Sequence, residues 1–137
     1  MVDALFQLST LLDLLLSVLL GFSIGFERKQ RFKEAGIRTH TIVCVGAALT
    51  MVLSAYMVAM YATWEAALGI ELTKGDFSRL GAQVINGIGF LGAGTIIVTG
   101  KNQVKGMTTA AGLWASACMG LAIGAGFYIG ACVGCIM

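Results

Sequence analysis

The chain has 137 residues, 58% of them hydrophobic and 12% charged, with a mean hydropathy of +0.88 and a formal net charge of +2. A soluble domain carries about 25% charged residues, so this composition excludes an ordinary globular enzyme and puts the chain in the membrane class. A net charge this small leaves no electrostatic footprint for nucleic acid, and 19 glycines with no proline suit helices packed closely in lipid.

The first apolar run, about Ala4–Phe26, is long enough to span a hydrocarbon core of ~30 Å. Asp3 precedes it, no basic residue does, and no cleavage site follows, so it reads as a span rather than a signal peptide. Ser17, Gly21 and Gly25 make a stripe of small residues at every fourth position, and Asp13 sits in the middle of the run. Residues 27–38, ERKQRFKEAGIR, then hold Arg28, Lys29, Arg31, Lys33 and Arg38, which keeps this loop cytoplasmic and the N-terminus outside.

The second span, about Thr41–Trp64, carries a ladder of Gly46, Thr50 and Ser54, with Tyr56, Tyr61 and Trp64 at its outer end. The following loop sets Glu65, Glu71 and Asp76 against Lys74 and Arg79, and Asp76 or Ser78 is the expected N-cap of the third helix. That helix covers about Leu80–Val98. A second basic loop, with Lys101 and Lys105, leads to a fourth helix over about Thr108–Ile123, where Gly112, Ser116, Gly120 and Gly124 recur every four residues. The last apolar piece, Phe127–Met137, covers about half a bilayer and reads as a short or truncated fifth helix. The expected fold is therefore a single all-α membrane domain over residues 1–137: four full transmembrane helices in a polytopic bundle, plus that fifth piece.

Three constellations carry chemistry. Asp13 lies about 13 Å and Asn86 about 9 Å from the outer ends of their helices at 1.5 Å per residue. With Gln83 they form a candidate polar or ion cluster whose oxygens suit Mg²⁺; a structural hydrogen bond between helices is the other reading. At the cytoplasmic level Glu27, Arg28, Arg38, Thr39, His40, Lys105, Thr108 and Thr109 converge, with Arg28 or Arg38 expected to pair with Glu27. The basic loop also suits anionic lipid head groups, although setting topology is a sufficient role for it. Cys132 and Cys135 have CxxC spacing but no polar surroundings, and read as small packing residues. There is no phosphate-binding glycine loop and no nucleophile–base pair, so no catalytic residue and no resident cofactor is expected.

The three blocks GFERKQRFKEAGIRTHTIVCVGAAL, DFSRLGAQVINGIGFLGAGTI and VKGMTTAAGLWASACMGLAIGAG, in that order, resemble the MgtC/SapB family of bacterial inner-membrane proteins. The motif positions carried by this chain include Glu27, Arg28, Arg38, Thr39, His40, Asp76, Ser78, Arg79, Gly87, Gly89, Gly92, Gly94, Thr108, Thr109 and Trp114. Phe77 stands where the family commonly has proline. The resemblance implies a polytopic bundle, usually of five helices and often followed by a soluble cytoplasmic domain, which is expected to be absent here. It also implies a link to growth in low magnesium and to virulence, exercised by binding other inner-membrane proteins. The small-residue faces suit a homo-oligomer, a dimer in the first instance. The alternative is an oligomeric transporter or channel for Mg²⁺ or protons.

Overall fold

The computed structural model describes residues 2–69, 75–77, 79–99 and 103–136. Five helices run in chain order: α1 Val2–Gln30, α2 Ile37–Leu68, α3 Arg79–Gly94, α4 Met107–Gly124 and α5 Tyr128–Ile136. A two-stranded antiparallel hairpin, β1 Ile97–Thr99 and β2 Gln103–Lys105, separates α3 from α4. α4 is the centre of the bundle and packs on all four other helices; α1 and α2 form its other large interface.

Among the described residues, three helices are long and apolar enough to cross a membrane: Leu5–Gln30, Ile37–Leu68 and Met107–Gly124. Both early helices outrun their expected bounds because nothing in the flanking charged sequence breaks a helix. α1 continues through Glu27–Gln30, and α2 starts four residues early at Ile37. α3 is shorter than expected. It stops at Gly94 after 16 residues, a rise of about 24 Å, and does not reach Val98. The β-branched run Ile96–Ile97–Val98–Thr99 instead enters the hairpin, where Val98 pairs with Val104. Gly106, in the left-handed region at φ 91°, turns the chain from β2 into α4, and a side chain there would strike the Thr95 carbonyl.

The distribution of polarity is inside out. Asp13, Ser17, His40, Ser54, Thr109 and Ser116 are buried, while Leu8, Leu11, Leu12, Leu15 and Leu19 are exposed along one helix. Such a contiguous apolar surface is what a bilayer would cover.

Small residues set the helix crossings. Gly21 faces the Thr41 Cα at 2.8 Å from where its own Cβ would stand, and Gly25 faces the backbone of Ile37, so α1 lies backbone to backbone on α2. Gly120 and Gly124 do the same for α4 against Cys44, Ala47, Ala48 and Met51 of α2. Of the expected ladder on α2, Ser54 is buried but Gly46 is exposed with no described atom near it, and the contact with α4 runs through Cys44, Ala47 and Ala48. At the far end of α4, Gly126 (φ 79°) closes the helix with the Phe127 amide on the Ala122 carbonyl, which reverses the chain into α5.

Candidate functional site

The two ends of the bundle differ in chemistry. At one end the turn after α1 and the β-hairpin lie together. Phe32, Lys33 and Glu34 share a cavity of about 440 Å³ with Val104, Lys105, Gly106, Met107, Thr108 and Thr109. The two basic segments thus meet at the same end. Arg28 crosses from α1 to α4, where its guanidinium donates to the Thr108 carbonyl and fills the space left open by Gly112. Glu27 takes neither of its expected partners. It pairs with Arg31 one turn on, at 2.8 Å, because i,i+4 neighbours share a helix face that Arg28 does not. Both side chains are well exposed, so the pair adds little stability. Arg38 and Thr39 are exposed on the first turn of α2.

One turn deeper, His40 is fully buried, and its Nδ1 lies 2.8 Å from the Ser116 Oγ. Ser116 also donates to the Gly112 carbonyl at 2.9 Å. Its single proton is then spent, so the His40 Nδ1 carries the hydrogen and Ser116 accepts it. Among the described residues the His40 Nε2 is then a buried acceptor with no partner, and the Thr41 hydroxyl is likewise buried and unpaired. His40 belongs to the expected cytoplasmic cluster, whereas Ser116 carries no sequence signal beyond its place in the small-residue ladder.

Asp13 is buried at 7% exposure, and the Tyr128 hydroxyl of α5 donates to its Oδ1 at 2.7 Å. Gln83 and Asn86 lie elsewhere. α3 packs on α2 and α4 through Gly81, Ile88 and Gly92, and both amides are on the exposed, opposite face. A single chain therefore does not assemble the trio of Asp13, Gln83 and Asn86, because the side of α3 that bears the amides turns away from the bundle. Removing the bond that replaces the trio gives a direct check: Tyr128→Phe is expected to lower stability by about 1 kcal/mol, read as a fall in melting temperature in detergent, and an unchanged value would show that Asp13 is satisfied some other way.

The remaining motif positions divide by end. Asp76 precedes α3 and Arg79 begins it exposed; the candidate cap Ser78, like Glu71, Lys74 and Lys101, lies outside the described residues. Ser54 of α2 donates to the Phe77 carbonyl at 2.9 Å and Tyr61 packs on the Phe77 ring at 5.2 Å, so Phe77 anchors the entry to α3. Among the described residues, Gly87, Gly89 and Gly94 have no atom near a notional side chain, whereas Gly92 faces Ala110 of α4 at 3.5 Å. Thr108 is exposed and Thr109 buried at the start of α4, and Trp114 is half exposed beside α5.

Close glycine crossings, an apolar exterior and buried polar pairs define a multipass helical membrane protein. The sequence comparisons refine that class. The model of the MgtC family matches residues 14–137, and the chain belongs to that family. It is 40% identical over 127 residues to the "Putative magnesium transporter YhiD" of Escherichia coli (strain K12), covering 93% of this chain and 56% of that protein. It is 46% identical over 108 residues to "Protein MgtC" of Brucella abortus (strain 2308), covering 77% of this chain and 38% of the relative. An uncharacterized protein of Synechocystis, slr0014, is 39% identical over 130 residues, 93% of this chain and 48% of its own. The chain thus spans about half the length of the curated relatives it matches. No solved structure matches it.

Proposed function

We propose that this chain is a non-enzymatic multipass protein of the bacterial inner membrane that serves adaptation to low magnesium, and virulence in a host, by binding other membrane proteins and a second copy of itself. The observation that carries the reading is the outward face of α3. Gln83, Asn86, Gly87, Phe90 and Gly94 fall on one side of the helix, and all are exposed. Neither amide has a hydrogen-bond partner among the described residues. An amide facing lipid without a partner is costly, and amides across transmembrane helices supply about 1–2 kcal/mol of association. The unfilled glycines allow the close approach such a bond needs. In this reading α3 is a fourth crossing, completed by Thr95–Ile97. The N-terminus is outside and the 27–38 segment cytoplasmic, so that cysteines at Lys33→Cys and Ala66→Cys label from opposite sides of the membrane.

The test is a photo-activatable phenylalanine analogue at Phe90, which is 83% exposed, compared with the same analogue at Phe22 of α1. Adducts to membrane proteins, a second copy included, are expected from position 90 and are expected to be lost when Gln83→Leu and Asn86→Leu are added. A second reading, an oligomeric path for Mg²⁺, is favoured by the buried carboxylate of Asp13 and by the name of the E. coli relative. In that case several copies would bring Asp13, Gln83 and Asn86 to one path. Saturable Mg²⁺ uptake into proteoliposomes that disappears with Asp13→Asn, without adducts at position 90, would replace the first reading with the second.

A further inference from the structure

We propose that the cavity between the turn after α1 and the start of α4 binds a phosphate group, presented either by an acidic phospholipid or by a free phosphate. Four observations converge on it. First, α4 begins at Gly106 with no side-chain cap, and Gly106, Met107, Thr108 and Thr109 at the positive end of its dipole line the cavity. Second, Thr109 lines the cavity while only 3% exposed, and its hydroxyl has no hydrogen-bond partner among the described residues. The residue is largely buried, and a hydroxyl without a partner on a cavity wall can be offered to a ligand atom or water.

Third, the charge on the wall is unbalanced. Lys33 and Lys105 stand against Glu34, and neither lysine has an ion-pair partner among the described residues. Arg28 does not line the cavity but donates to the carbonyl of Thr108, which does, while the nearby Glu27 is taken by Arg31. A cation held at the positive end of a helix is unfavourable until an anion joins it. Fourth, the rim is apolar: Phe32 is 96%, Met107 58% and Val104 45% exposed. Apolar side chains beside lysines and free amides match the acyl and phosphate levels of a phospholipid.

The test uses the full chain in a maltoside detergent, with melting temperature followed as dihexanoyl phosphatidylglycerol or inorganic phosphate is added. A saturable rise is expected. Lys33→Gln and Lys105→Gln should each weaken the apparent affinity by about fivefold. Thr109→Val should weaken it as well, and Thr109→Ser should restore it. Competition by inorganic phosphate would show that the anion alone suffices; saturation by the lipid without such competition would assign the site to lipid. The proposal is overturned if neither compound gives a saturable shift. It is equally overturned if Lys29→Gln, away from the cavity, weakens binding as much as Lys105→Gln, since the effect would then be the general potential of the basic segment.

Discussion

Replacing Gly120 by alanine is expected to cost the bundle about 3 kcal/mol or more, at the upper end of what overpacking does to a filled core. The added methyl would stand 2.8 Å from the Ala47 Cβ and nearer still to the Cys44 carbonyl, which is helix backbone and cannot rotate away. Relief requires α4 to move off α2, and α4 touches every other helix. Gly124 repeats the arrangement one turn later against Ala48 and Met51. The internal control is Gly46→Ala. Gly46 lies within α2 with open space around it, so alanine there should be neutral or stabilising by up to about 1 kcal/mol through helix propensity. Denaturant titration of both variants in the same detergent decides the matter. Equal effects at the two positions would mean that the close α2–α4 crossing is not what holds the bundle together.

The second large effect is expected at Ser116. Alanine there removes the acceptor of the His40 Nδ1 hydrogen and leaves a fully buried imidazole with neither nitrogen paired. A buried polar group stripped of its partner costs about 1–3 kcal/mol. Replacing both residues should cost less than the two single changes together, because His40→Leu removes the group that Ser116→Ala orphans. A coupling of about 1 kcal/mol in that cycle is the expected result. Strict additivity would show that the two side chains do not act on one another, despite their 2.8 Å separation.

These two sites also show that the small-residue ladder of α4 is not uniform. Gly112, Ser116, Gly120 and Gly124 occupy one helix face, and each rung does something different. Gly112 makes room for Arg28, Ser116 holds His40, and Gly120 and Gly124 seat α2. A period-four pattern specifies that a smooth face exists, but it does not say what lies on each rung.

The cavity at the basic end and the outward face of α3 are separate devices. One is polar and sits at the end of the bundle, whereas the other is an exposed helix face with two amides. Failure of phosphate binding would leave the protein-binding reading of α3 intact, and loss of the position-90 adducts would leave the cavity proposal untouched.

The sequence by itself determined the class and the outline. In lipid the backbone must satisfy its own hydrogen bonds, so long apolar runs become helices wherever they occur, and α1, α2 and α4 are visible from hydropathy alone. Charge patterning predicted that both basic segments share one end, and Lys33 and Lys105 do line one cavity there. Only the tertiary structure decided the partners. Tyr128 reaches Asp13 across 115 positions of the chain, and His40 reaches Ser116 across 76. No local pattern encodes such a pairing, because it depends on how helices rotate about their axes. The same rotation carried Gln83 and Asn86 outward, away from Asp13, and left Gly46 unused. The early end of α3 was a contest between apolar run length and β-branched preference for extended backbone. The hairpin won because β2 was there to pair with Ile97–Thr99, and that pairing is a fact of the folded chain.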